Sequence, residues 1–465
     1  MNHVGSEAAQ SILKGLRDLW RDLARSSWLP DDRALKPDLP DPDLPRLRRR
    51  MQECLDGRGG EVSARLRAAQ LGRTYLTLNE QGRARFLTLL AEAFDTDRAS
   101  VTEAIDAYLE ASEEQLGEAE HRLRSALIAP RRRLLTQFNE LPEGTKFLVD
   151  LRAELLGLLP GTPALRALDR DLRELLTTWF DVGFLELQRI SWNSPASLLE
   201  KLISYEAVHE IESWSDLRNR LETDRRCYAF FHPHMPGEPL IFVEIALVDR
   251  MATSIQALLD ESTPELPPEE AKTAIFYSIS NTQRGLRGIS FGSFLIKRVI
   301  DDLTRDFPGL RTFATLSPIP GFRRWLDGRI REELDLLTER ETRALAETGS
   351  GSLAQLLATP EWWKREPIRR ALESPLMRLC ARYLVEERRE GRPLDPVARF
   401  HLGNGASIVS LNWGADLSPK GIRQSAGIMV NYGYRQDDIE KNHEAYRGKG
   451  EVKTSPAVRR WLRAG

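Results

Sequence analysis

With 465 residues the chain is long enough for two or three domains and a full apolar core. Lys and Arg number 67 against 69 Asp and Glu, a formal net charge of -2, so no basic face for a nucleic-acid partner is expected. No apolar run reaches the roughly 20 residues that cross a bilayer, and the scattered Cys54, Cys227 and Cys380 form no CxxC pair, which excludes a membrane span and a disulfide framework and points to a reducing compartment.

The first 23 residues carry a helical pattern from Ala8 to Leu23, and Leu29 to Pro45 is rich in Pro and Asp and reads as an irregular connection. The polar N-terminus, with Glu7, Asp18 and Asp22, lacks the apolar centre of a secretory signal, and its acids weigh against a transit peptide. The closing Arg463-Ala464-Gly465 is not an S-K-L address, so a cytoplasmic location is the expectation. From about 61 to 185 the helical period dominates. Asn79 is placed to cap a helix with Phe86, Leu89, Leu90, Ala93 and Phe94 on one face. Thr162 and Pro163 are expected to open another, with Leu165, Leu168, Leu172, Leu175, Leu176 and Trp179 on its apolar side. Residues 1–185 are therefore expected to form an all-α bundle.

After Gly183 strand-length apolar runs appear at Tyr228–Phe231, Leu240–Val248, Phe276–Ser280 and Arg311–Leu316, with helical stretches near Ile255 and from Gly288 to about Thr304. A charged helical insertion spans about 322–391, with the mixed-charge run Arg329 to Arg343 expected on a solvated helix face, before a last strand around Ala406 to Trp413. Residues 186–465 thus read as a mixed α/β domain, and the whole chain as α+β.

Between Phe276 and Arg298 a strand runs into Gly285 and Gly288 and a helix follows. Such a turn offers outward backbone N–H groups and the positive end of a helix dipole to an anion such as pyrophosphate, with Arg284 and Arg287 beside it. The loop has neither Walker A spacing nor G-x-G-x-x-G spacing. It looks like a variant of the R/Q-x-x-G-x-G/A loop of GNAT-type acyl-CoA-binding folds.

Together with Leu316-Ser-Pro-Ile-Pro-Gly-Phe322, Phe400-His-Leu-Gly-Asn-Gly-Ala406 and Asn431-Tyr-Gly-Tyr434, this loop resembles the malonyl-CoA decarboxylase family. The resemblance covers about residues 185–455 and is weakest in the 325–390 insertion. It implies a C-terminal GNAT-like catalytic domain that converts malonyl-CoA to acetyl-CoA and CO2, preceded by a helical domain that contributes to assembly. By motif position it places the catalytic serine at Ser317, the catalytic histidine at His401 and a further active-site residue at Tyr434. It places acyl-CoA contacts on Arg287, Gly288, Ile289, Ser290, Phe291, Gly292 and Ser293. Animal members carry a glutamate where this chain has Ser290, which puts an acidic role there in doubt. The resemblance further implies a homo-oligomer, dimer or tetramer.

The chemistry is compatible with those residue types. Loss of CO2 from malonyl-CoA leaves a carbanion beside a thioester carbonyl that takes the charge as an enolate, so the substrate carries its own electron sink and no cofactor is expected. What remains is placement of the thioester, donors for the enolate oxygen and a proton for C2. His401 is the natural proton manager, and the resemblance implies Ser317 as acceptor and His401 as donor, with the residues themselves leaving open which of the two delivers the proton. Ser317, stiffened by Pro318 and Pro320, is placed to bond the carboxylate or the transferring proton, and Tyr434 and Asn281 to help hold the carbonyl or carboxylate. His232 and His234 have no third ligand in view, so no metal is expected. Two other readings stay open on the fold alone: an acyl-CoA-dependent acyltransferase, and a non-catalytic acyl-CoA sensor. The Ser317 and His401 motifs favour the decarboxylase.

Overall fold

A computed structural model describes residues 35–57, 60–180, 182–289, 295–332, 336–349 and 352–463. The expected helix Ala8–Leu23 lies outside them. The chain divides into two compact units. One holds Met1–Leu185 with Phe231–Glu238 and Gln283–Phe291; the other holds Glu186–Phe230, Pro239–Thr282 and Gly292–Gly465.

The described part of the first unit is helical. Its helices are α1 (Leu44–Asp56), α2 (Gly60–Thr77), α3 (Glu80–Ala93), α4 (Arg98–Glu110), α5 (Leu116–Ala126), α6 (Pro130–Asn139), α7 (Gly144–Leu158) and α8 (Leu165–Trp179). The side chain of Asn79 accepts from the Gly82 N–H and starts α3, as its type and position require. Two expectations are corrected. The Pro-rich segment ends before Pro45, which sits in the first turn of α1, where the missing N–H costs nothing. Thr162 does not cap with its side chain: α8 begins at Leu165, and its start is held by the carbonyls of Thr162 and Pro163. The apolar face of α8 is as expected, with Leu165, Leu168, Leu172 and Leu176 buried. The core of this unit is aromatic, with Tyr75 edge-on to Phe86 and Phe147 at 5.1 and 5.7 Å between ring centres.

Helix α7 supports the glycine loop. The buried Arg152 guanidinium donates to the carbonyl oxygens of Gly285 (2.6 Å) and Arg287 (2.9 Å) while its Nε bonds Asp169 at 2.8 Å. A Cβ on Gly285 would overlap the Val149 carbonyl oxygen, so only glycine fits there. His232 and His234 lie in a turn beyond their strand, with the His232 ring 4.9 Å from that of Phe180.

The second unit is built on an eight-stranded sheet. Its strands are β1 (Glu186–Ile190), β2 (Arg225–Phe231), β3 (Ile241–Val248), β4 (Thr273–Asn281), β5 (Thr312–Thr315), β6 (Ser317–Pro318), β9 (Ser407–Asn412) and β10 (Met429–Gly433); β7 (Arg388–Arg389) and β8 (Arg392–Pro393) form a separate hairpin. The order is β1-β2-β3-β4-β5-β10-β6, with β9 also paired to β10. The β2–β3 and β3–β4 pairs are antiparallel, whereas β4 and β5 run parallel. A parallel pair needs a crossover. Helix α9 (Leu295–Asp306) supplies it, burying Leu295, Ile296, Val299, Ile300 and Leu303.

The β4–β5 ladder covers only Thr273–Phe276 against Thr312–Thr315, while β4 stays paired with β3 as far as Asn281. Beyond Phe276, β4 therefore has no strand among the described residues on its β5 side. The insertion contains α10 (Phe322–Arg331), α11 (Glu339–Ala346) and α12 (Glu366–Val385). The mixed-charge run is not one solvated face. It is split between α10 and α11, and Glu341 is buried, pairing with both Arg378 donors at 2.9 and 2.6 Å.

Candidate active site

Period-two alternation puts Thr315 and Ser317 on one face of their segment, with Ala314 and Leu316 packed on the other among Ile275, Tyr277 and Met429. Strand β10 pairs antiparallel with this segment, Gly433 opposite Ala314 and Val430 opposite Ser317. Tyr432 and the adjoining Tyr434 are two residues apart, and both reach the same imidazole. That imidazole, His401, comes from α13 (Pro396–Gly403), whose Ala398 and Leu402 are also buried.

The four side chains form one chain of hydrogen bonds. Tyr434 Oη lies 2.7 Å from His401 Nδ1. His401 Nε2 lies 3.2 Å from Ser317 Oγ. Ser317 Oγ donates to Thr315 Oγ1 at 2.8 Å, and Thr315 Oγ1 also accepts from the Tyr432 N–H at 3.1 Å. The Tyr432 ring stacks on the imidazole, centres 4.5 Å apart and planes 23° apart. Ser317, His401 and Tyr434, drawn from three distant motifs, thus meet at bonding distance.

All members are buried. Burial alone pushes His401 down to about 3 and holds the Tyr434 phenol well above its usual range. The imidazole is therefore neutral at physiological pH and the phenol keeps its proton. Asn431 locks the backbone behind the site: its Nδ2 donates to the Thr315 carbonyl at 2.6 Å, and its Oδ1 accepts from Ser410 and Asn412 at 2.7 and 2.6 Å.

Asp395 joins the serine segment to the histidine helix. Its Oδ1 accepts from the N–H groups of Val397 and Ala398, both at 2.9 Å, capping α13. The same carboxyl accepts from the Gly321 N–H and from Tyr383 Oη. Desolvation raises it to about 6 in spite of those donors. At the other end of α13, Gly405 has φ 83°, and a Cβ there would overlap the Ile439 carbonyl oxygen.

Sequence reasoning missed Asp395, Thr315, Tyr432 and Asn431 as individual site residues. Asp395-Pro396 is a readable cap followed by proline at the first helical position. Thr315 was accessible by counting back two residues from Ser317.

The glycine loop is more constrained than its glycines imply. After β4 the residues Arg284–Leu286 form a 3-10 turn. The N–H groups of Leu286, Arg287 and Ile289 are bonded to the carbonyls of Gln283, Arg284 and Leu286, while the start of the following helix, where free amides are expected, lies outside the described residues. Gly288 adopts φ 81°. Arg284 and Arg287 are exposed, Ile289 is buried, and Ser290, Phe291, Gly292 and Ser293 lie outside the described residues. Asn281 is exposed at the end of β4. Among the described residues no group of three or more His, Cys, Asp or Glu could hold a metal ion, and the three cysteines are buried and unpaired.

The profile described as "Malonyl-CoA decarboxylase C-terminal domain" matches residues 183–465, and that described as "Malonyl-CoA decarboxylase N-terminal domain" matches residues 94–180. The chain belongs to the malonyl-CoA decarboxylase family. Like other malonyl-CoA decarboxylases it is an enzyme, a carboxy-lyase.

Two curated relatives are "Malonyl-CoA decarboxylase, mitochondrial" of Anser anser anser, 40% identical over 85% of this chain and 83% of that one, and its namesake in Rattus norvegicus, 41% identical over 81% of each. Two solved malonyl-CoA decarboxylases, from Rhodopseudomonas palustris and Agrobacterium vitis, superpose with TM-scores of 0.83 and 0.81. Each is 44% identical, over 90% of this chain and 99% of that one. The mitochondrial names of the curated relatives overturn the expected cytoplasmic location. Cysteine usage separates reducing from oxidising compartments; it does not separate cytosol from a mitochondrial interior.

The buried imidazole ties stability to pH in this decarboxylase. An unfolded histidine takes its proton near pH 6.5 and folded His401 only near 3. Between those values the unfolded state binds the extra proton, so acidification through this window destabilises the fold. Thermal melts of wild type and His401→Gln should therefore show the wild type losing ground to the variant between about pH 7 and about pH 5. A difference that does not move with pH rejects a buried neutral imidazole.

Proposed function

We propose that Ser317 and His401 are the catalytic pair for malonyl-CoA, with Tyr434 as the third catalytic group. They sit in a GNAT-like domain over residues 186–465 that follows a helical domain over 1–185. The fold assignment is supported by the antiparallel β2–β3–β4, the helix between β4 and β5, and the parting of those two strands beyond Phe276. The carrying observation is the buried chain Tyr434–His401–Ser317.

In the proposed reaction the bond between C2 and the carboxyl carbon breaks, its electron pair enters the thioester carbonyl as an enolate, and CO2 leaves. Burial is the whole cause of the shifts at His401 and Tyr434, so the two groups offered to the substrate there are neutral. The enolate then collapses and C2 takes the Nε2 proton of His401. The Tyr434 proton crosses to Nδ1, so the ring stays neutral; a proton from solvent then reaches Nε2 as the Nδ1 proton returns to the phenolate, which restores both groups. One proton is consumed, as conversion of malonyl-CoA to acetyl-CoA and CO2 requires. Ser317 Oγ holds the Nε2 proton in place until C2 displaces it.

At the loop, Arg287 and Gly288 to Ser293 contact the acyl-CoA, and Asn281 lies on its path. The helical domain serves assembly into a homodimer or tetramer, consistent with Leu109, Leu127 and Ile128 being 74%, 57% and 53% exposed around α4 and α5.

Mass spectrometry of malonyl-CoA incubated with the protein alone should show acetyl-CoA without any acceptor, whereas an acyltransferase on the same fold would stall. His401→Ala should lower that rate on the order of 100-fold or more while CoA still binds; a near-wild-type rate removes His401 from the mechanism. Arg287→Ala should raise KM on the order of tenfold with a smaller effect on kcat, and an unchanged KM moves the phosphate contact elsewhere. Sedimentation of the double variant Leu109→Glu/Ile128→Glu should show a smaller species than wild type; an unchanged mass excludes α4–α5 as the assembly surface.

A further inference from the structure

We infer that Thr315 is the positioning residue that fixes the direction of the proton chain, committing the Ser317 hydroxyl proton so that the His401 imidazole carries its own proton on Nε2. The inference rests on the reading of His401 as donor and names the group that loads it.

The argument starts at a backbone amide. The Tyr432 N–H can only donate, and it donates to Thr315 Oγ1 at 3.1 Å. The remaining acceptor position of that oxygen faces Ser317 Oγ at 2.8 Å, with Ser317 oriented as the donor. A serine hydroxyl has one proton. With that proton committed to Thr315, Ser317 can only accept from the ring nitrogen 3.2 Å away, so Nε2 must carry hydrogen. A neutral ring protonated at Nε2 has a bare Nδ1, which accepts from the Tyr434 phenol at 2.7 Å. The burial that keeps His401 neutral and Tyr434 protonated supports this arrangement.

Were the Thr315 oxygen absent, Ser317 could turn its proton onto Nε2. The ring would then hold hydrogen on Nδ1, against Tyr434, and the nitrogen beside the serine would have nothing to give. Thr315 is fully buried and is anchored through its carbonyl by Asn431, so its hydroxyl has a fixed position in the strand. Valine would keep the β-branched shape and remove only the acceptor. Serine would keep the acceptor.

The test uses the full-length protein labelled with 15N-histidine, the His401 signals being assigned by their loss in His401→Gln. Long-range proton–nitrogen spectra should show hydrogen on Nε2 in wild type and in Thr315→Ser. In Thr315→Val the hydrogen should move wholly or partly to Nδ1, kcat should fall on the order of tenfold or more, and KM should stay within about twofold. Thr315→Ser should restore kcat. Loss of the Tyr432 amide partner alone would lower the melting temperature without moving the tautomer, so the spectrum separates a structural effect from a directional one. If Thr315→Val does not fold, Thr315→Ala carries the same expectation. Hydrogen retained on Nε2 with wild-type kcat in the folded variant overturns the role of Thr315 and leaves the catalytic pair standing. Full activity in His401→Ala overturns the pair itself.

Discussion

Strand β10 pairs with β5 and β6 along one edge and with β9 along the other, and each member of the buried hydrogen-bond chain owes its place to that strand. The pairing with β5 and β6 sets Tyr432 and Tyr434 against the face that carries Thr315 and Ser317. The Asn431 side chain reaches across to the Thr315 carbonyl and to Ser410 and Asn412 of β9, so the register is held by side chains as well as by the ladder. A slip of one residue would turn both tyrosines to the opposite face and dismantle the site. The geometry of the hydrogen-bond chain is thus a property of the sheet, with one helix laid against it.

That helix brings a group whose ordinary chemistry the environment reverses. An imidazole in water is charged or neutral near physiological pH; here burial without a counter-charge keeps it neutral. Its value as a donor then depends on which nitrogen holds the hydrogen, and that depends on hydrogen-bond direction rather than on overall charge.

Local patterns were legible in the sequence, and non-local partnerships were not. Asn79 announced its helix, the leucines of α8 announced their buried face, and β2 to β5 stood out as short apolar runs, because each follows from residues within one or two turns or strands. The start of α1 was obscured by Pro45, a residue equally at home in a loop or in a first helical turn. Strand β10 is buried over its whole length, so it shows no alternation by which to find it, and only its motif marked it. Ser317, His401 and Tyr434 were legible through the resemblance alone: nothing in composition joins residues 84 and 33 positions apart. The packing role of Gly285 against Val149 was not legible, because the close approach comes from a helix far away in sequence.

Asp395 gives the fold a clasp with an architectural consequence. The segment between Gly321 and Asp395 leaves the sheet just after the serine and returns just before the histidine helix, and one carboxyl group closes its neck by holding the Gly321 amide and the first amides of α13. The loop closed in this way is an annex whose exit and entry are tied together. Residues added to or removed from its far side change the cost of closure only logarithmically and leave the distance between hydroxyl and imidazole untouched. The contact between Ser317 and His401 is insulated from the length of the segment that separates them in sequence.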